Sequence, residues 1–173
     1  MSVLTQTKID KVVGLGAEGF KIAIYFENRP QITEYLELDE LRPMQGGELD
    51  FILAHTSNNW RKLFNCFAKL VFALKPEDYA SWQQLRDQSL LDQNSHFALL
   101  FSKPDLTLDD TIHIISGRTY AAKLNLPCEL IWLTPQFAMN KHHKIIVSPY
   151  FDYRQLSNER LTQLVKLIQL LSN

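Results

Sequence analysis

The chain of 173 residues carries 18 Lys+Arg against 19 Asp+Glu, a formal net charge of −1, with 46% hydrophobic and 21% charged residues. That length and balance fit one globular domain able to bury its own core; they exclude a disordered tail, a disulfide-stapled miniprotein and a strongly basic duplex-binding module. The longest apolar runs, Ile22–Phe26, Leu70–Leu74 and Phe97–Phe101, have five residues each, far short of the roughly 20 that span a bilayer, so no membrane partner is expected.

Met1–Lys8 shows neither a charged leader nor an apolar stretch, and Cys66 and Cys128 are too far apart for a metal motif. A reduced, cytoplasmic protein is therefore the expectation. With no internal repeat and no Gly/Ser linker, residues 1–173 read as a single domain, residues 1–19 being set apart as a candidate flexible segment. Within that segment Gly14, Gly16 and Gly19 complete a G-x-G-x-x-G pattern. Dinucleotide binding would need a strand before it and a helix after it. Here a strand follows, and Glu18 adds a negative charge, so a loop or hairpin is expected and no cofactor is implied.

Lys21–Tyr25 reads as a strand from its β-branched and aromatic content. The acidic stretch Gln31–Asp50, broken by Pro43, Gly46 and Gly47, is expected to be a long, partly ordered surface excursion. Phe51–Ala54 fits either a short strand or the approach to the next helix. Trp60, Leu63, Phe64, Phe67, Leu70, Val71 and Leu74 then repeat at helical spacing, with Ser57 as a suitable N-cap. Pro76 is expected to stop this helix and open another, whose Tyr79, Trp82 and Leu85 share a face.

His96–Phe101 and Ile112–Ile115 read as strands, Arg118–Leu124 as a short helix after Gly117, and Glu129–Leu133 and Lys144–Val147 as further strands. A closing helix is expected after Ser157, burying Leu161, Leu164, Val165 and Ile168. Short apolar strands alternating with helices predict a three-layer α/β/α domain with a mostly parallel central sheet.

Chemistry-bearing groups are sparse. Adjacent residues on a strand point to opposite faces, so His142 and His143 make a poor chelating pair there, and no spacing suits a metal. Cys66 falls on the apolar side of its helix and reads as core. Charge is polarised: Glu27, Glu34, Glu37, Asp39, Glu40, Glu48 and Asp50 stand against Arg29 and Arg42, whereas Lys141, Lys144, Arg154, Arg160 and Lys166 outnumber Asp152 and Glu159 toward the end.

Three segments taken together resemble the uracil-DNA glycosylase superfamily, more its iron–sulfur-type bacterial and archaeal branch than the small viral and human type. Ile22–Pro30 (IAIYFENRP) is similar to that family's first strand and turn. Ile112–Leu124 (IHIISGRTYAAKL) is similar to its strand, glycine and small-residue helix, and Lys144–Leu156 (KIIVSPYFDYRQL) to the strand entering its second catalytic motif. The resemblance implies a pocket for an extruded base. Glu27 or Asn28 would hold the water-positioning role, and Tyr150 or Phe151 would stand where the family has a histidine. No histidine occupies that place and no cluster cysteines exist, so the implied activity is binding without efficient base excision.

The expected function is weak binding of a nucleobase, a nucleotide or single-stranded nucleic acid. Glu27, Asn28 and Asp152 are the candidate catalytic groups; Phe26, Ser148, Tyr150 and Arg154 are the candidate ligand contacts, with Phe26 or Tyr150 as stacking face and Arg154 on a phosphate. Two alternatives stand beside it. Ten Phe, six Tyr and three Trp, with Trp82 and Trp132 on an exposed patch, would suit a non-catalytic interaction domain or homodimer. Glu27 or Asp152 as general base would suit an enzyme acting on a small metabolite.

Overall fold

The computed structural model describes residues 11–75 and 78–172. In chain order its elements are β1 (Gly14–Gly16), β2 (Ile22–Tyr25), α1 (Thr33–Leu36), β3 (Leu41–Arg42), α2 (Glu48–His55), α3 (Asn58–Leu74) and α4 (Trp82–Ser89). There follow β4 (Phe97–Leu100), β5 (Ile112–Ser116), α5 (Arg118–Leu124), β6 (Ile131–Trp132), β7 (Ala138–Asn140), β8 (Ile145–Ser148) and α6 (Asn158–Leu171).

All eight strands join one sheet in the order β3-β1-β4-β2-β5-β8-β7-β6. The centre, β4-β2-β5-β8, is parallel. The flanks are not: β1 runs antiparallel to β4, β7 to β8 and β6 to β7. The sheet is thus mixed, which corrects the expectation of a mostly parallel one. At the β6 end of the sheet the reason is connection length. Only the tight turn Lys141–Lys144 joins β7 to β8, and so short a link permits only an antiparallel return. That turn also holds His142 and His143, off the strand where the sequence put them, with rings edge to face at 4.8 Å.

Period-two alternation along the central strands builds two cores. Ile24, Leu99, Ile114 and Ile146 face a large cluster completed by α2, α3, α4 and α6. Ala23, Tyr25, Ala98, Leu100, Ile115, Ile145 and Val147 face a smaller one that includes Ala121 of α5. Helix α3 buries Trp60, Leu63, Phe64, Phe67 and Leu70 as its periodicity predicts, and Cys66 with them. Burial pushes the Cys66 thiol up to about 11, so it is an unreactive core group. Ser57 takes the N-cap position of α3 without a side-chain bond, whereas Ser157 caps α6 through the Arg160 amide.

Three segments depart from the sequence reading. Residues 1–10 and Pro76 lie outside the described residues, and the helix expected from Pro76 begins instead at Trp82, capped by the Ser81 hydroxyl. Gly14–Gly16, assigned above to a flexible segment and a loop or hairpin, is a buried strand between β3 and β4. Residues 31–50 are an ordered unit rather than an excursion. Arg42 pairs with Glu34 at 2.7 Å and Glu48 at 2.9 Å, and Tyr35, wholly buried, donates its hydroxyl to Glu48 at 2.7 Å. Burial pushes the Glu48 carboxyl up, but the bonds from Arg42, the Gln45 amide and Tyr35 outweigh it and hold the group below its ordinary value.

On the smaller core's face His113 is fully buried, its Nδ1 2.7 Å from the Tyr25 hydroxyl and its Nε2 3.1 Å from the Leu108 carbonyl. A carbonyl only accepts, so Nε2 carries the proton and Tyr25 donates to Nδ1. Burial lowers the tendency of this imidazole to protonate. The unfolded chain binds a proton below about pH 6.5 while the folded chain does not, so stability falls as pH drops through that value. Thermal denaturation between pH 7.5 and 5.5 should show this decline, and His113→Gln should flatten it. An unchanged slope in the variant would assign the proton elsewhere.

Candidate functional site

Parallel strands in an open sheet end their turns on one edge, and a crevice opens where successive connections leave in opposite directions. Here that reversal lies between β2 and β5. The chain leaves β2 toward β4 on one side, then crosses back to β5 and on to β8. At the carboxyl ends of these three strands lies a cleft of about 500 Å³.

The β2 turn contributes Glu27 and Asn28, the β5 turn Ser116 through Tyr120, and the β8 turn Ser148, Pro149 and Tyr150. Gln155 closes it from the turn before α6, Arg160 from the first turn of α6, and Pro135 and Gln136 from the β6–β7 loop. Two hydrogen bonds fasten the β5 and β8 turns: the Gly117 amide donates to the Ser148 carbonyl at 2.9 Å, and the Phe151 amide to the Ser116 hydroxyl at 3.1 Å. Gly117 has φ +99°, a conformation that side chains rarely adopt, so the sharp exit from β5 depends on glycine.

The cleft lining brings together one carboxylate, two guanidiniums, three side-chain amides and two phenols. Glu27 is neutralised by Lys123 at 2.7 Å, an exposed pair that adds little stability. That leaves the guanidiniums of Arg118 and Arg160 as the net charge of the lining. Arg118 lies over the Trp132 ring at 4.9 Å, and Arg160 donates to the Gln155 carbonyl at 2.8 Å; both are thereby held in place. Burial raises the Tyr150 phenol, with the Asp152 charge adding to it, and burial with the Glu27 charge raises Tyr120. Both hydroxyls therefore stay protonated donors at neutral pH. Among the described residues no group of three His, Cys, Asp or Glu side chains is placed to hold a metal.

The sequence-derived candidates divide clearly. Glu27, Asn28, Ser148 and Tyr150 share this cleft. Phe26 does not: it is 1% exposed and meets Phe151 edge-on at 5.3 Å, so it is core and presents no stacking face. Asp152 lies outside the cleft lining, its carboxylate accepting from the Arg154 amide at 2.9 Å and standing 3.8 Å from Lys62 of α3. Arg154 is exposed over Tyr153, likewise outside. Arg118 and Arg160, which do line the cleft, escaped the sequence reading as ligand groups. The signal for Arg118 was the strand–Gly–Arg order after β5; nothing local marks Arg160.

Elsewhere, Ile131, Trp132 and Leu133 are 63%, 42% and 51% exposed on the sheet's edge strand. Trp82, the other tryptophan expected on a patch, is half-buried and lies beneath Lys69 and Arg86. No described helix is long and apolar enough to cross a membrane.

No curated protein and no solved structure matches the chain. A family model does match over residues 13–169, nearly all of the sheet and its helices, and the chain belongs to the family of unknown function DUF6942.

Proposed function

We propose that the cleft binds a nucleotide, with Arg118 and Arg160 on its phosphate and Tyr150 against its base. The observation that carries this reading is the meeting, in one crevice of about 500 Å³, of an aromatic wall with two guanidiniums that pair with no carboxylate among the described residues; the size is within the range of small-molecule sites. Asn28, Gln136 and Gln155 add amides able to donate to and accept from a base edge. The three segments that resemble uracil-DNA glycosylases are also the three that supply the strand-end turns, which supports a base-binding role at this edge. Base excision is not part of the proposal, because by the resemblance Tyr150 or Phe151, neither able to carry positive charge, would stand where that family has a histidine. With a net charge of −1 for the chain, a single nucleotide suits it better than a phosphate polymer, whose binding draws on many basic contacts.

Thermal-shift and calorimetric titration with the nucleoside 5′-monophosphates tests this. A nucleotide at about 100 times its Kd should stabilise the fold by roughly 2.7 kcal/mol. Arg118→Gln and Tyr150→Ala should each weaken binding about tenfold or more. A panel that leaves the melting temperature unmoved overturns the proposal.

A further inference from the structure

We propose that Arg29, Lys11 and Lys103 form a second site, for a phosphate-class oxyanion, on the β4 side of the β2 turn and separate from the cleft. A depression of about 440 Å³ lies there, and among the described residues these three cations line it against one acid, Asp39. On a chain whose net charge is −1, such a local excess is a feature of the site rather than of the whole surface.

Arg29 is the fixed element. Its Nη1 donates to the carbonyls of Tyr35 at 2.9 Å, Leu36 at 3.2 Å and Leu38 at 2.8 Å. Its guanidinium carbon stands 5.6 Å from the centre of the Phe101 ring. Nη1 is thus spent on the main chain, while Nη2 and Nε make no hydrogen bond to the described protein. Among the described residues no carboxylate comes within ion-pair distance of Arg29, in contrast to Arg42, which has two. A half-buried guanidinium fixed on one side and uncompensated on the other presents a planar fork suited to a phosphate.

The lysines are brought there by main-chain pairing. The Val13 amide donates to the Ser102 hydroxyl at 3.0 Å, and the Phe101 amide to the Val13 carbonyl at 2.8 Å. This lays residues 11–13, which lead into β1, beside the exit of β4, where Lys103 follows. Both ammonium groups are on exposed side chains and adjust as point charges around an ion that the guanidinium orients. A tetrahedral dianion uses all three cations, whereas a carboxylate is satisfied by the fork alone. Free phosphate and the phosphoryl group of a small metabolite share this chemistry.

The test is titration of the full chain with inorganic phosphate, followed by amide NMR shifts and by melting temperature, with chloride at matched ionic strength as control. The expected result is a saturable response that chloride does not reproduce, centred on residues around Arg29 and Ser102. The apparent affinity read from the amide shifts around Arg29 and Ser102 should fall about tenfold or more in the double variant Lys11→Gln/Lys103→Gln, which alters exposed side chains only, and should be unchanged in Arg118→Gln. Equal affinity in the double variant, or an equal response to chloride, overturns the proposal. Loss in Arg118→Gln instead also overturns it, by assigning the ion to the cleft. A parallel titration with glycerol 3-phosphate identifies the source: tighter binding than phosphate supports a phosphorylated metabolite, equal binding supports the free ion. Because the residues differ, failure here leaves the nucleotide proposal standing, and the reverse holds.

Discussion

Gly14→Val is expected to destabilise the protein by about 3 kcal/mol or more, at or beyond the upper end for an overpacked position. A β-carbon at Gly14 would stand 2.1 Å from the Leu99 carbonyl oxygen and 2.8 Å from the Leu100 Cα, both main-chain atoms of β4. Neither can move without breaking the β4–β2 pairing that carries the central sheet. The strand that must yield is β1, and β3 pairs with no other strand, so both would detach. Urea unfolding should show a lower midpoint, and a smaller m-value if the edge is already open in the native state. Gly46→Ala is the matched control: a β-carbon there meets nothing within 4 Å, so its effect should stay within about 0.5 kcal/mol. A Gly14→Val loss below about 1 kcal/mol would refute the account of β1.

Phe151→Ala should cost about 3–5 kcal/mol, the usual penalty for truncating a buried aromatic ring. Phe151 is 0% exposed and joins two neighbours, meeting Phe26 at 5.3 Å nearly perpendicular and Phe67 of α3 at 6.2 Å. Its position ties core to cleft, since its amide holds Ser116 while Tyr150 beside it forms the cleft wall. Two readouts follow. The variant should unfold at lower urea concentration and, under conditions where it is still folded, weaken the nucleotide binding proposed for the cleft. Phe151→Leu should recover most of the stability because the void is smaller. If alanine is tolerated at a cost below about 1 kcal/mol, the ring does not anchor this turn.

The central strands were legible in the sequence for a definite reason. Ile22–Tyr25, Phe97–Leu100, Ile112–Ser116 and Ile145–Ser148 are apolar runs bounded by turn residues, and burial on both faces leaves them little else to be. Strands β1 and β3 were not, because a Gly-Leu-Gly stretch and a two-residue pairing carry no pattern of their own. The conformation of β1 comes from its close approach to β4 and that of β3 from pairing with β1, and both causes are tertiary. The acidic stretch misled in the same way: its charge suggested solvent, while the ordering groups Arg42, Glu48 and Tyr35 are scattered through it. At the site, reading turns rather than side-chain directions found Glu27, Asn28, Ser148 and Tyr150. It failed at Phe26 because that side chain follows Tyr25 onto the opposite face, into the large core. It failed at Asp152 because the carboxylate closes a local turn beside α3.

The division of labour along these strands also bears on how such a protein changes through descent. Ile24, Ile114 and Ile146, which hold the frame, are 0% exposed, whereas Glu27, Asn28, Arg118 and Thr119 at the strand exits are exposed. Substituting the exit residues leaves the frame's packing untouched, so relatives sharing this scaffold are free to acquire different ligands without relearning how to fold.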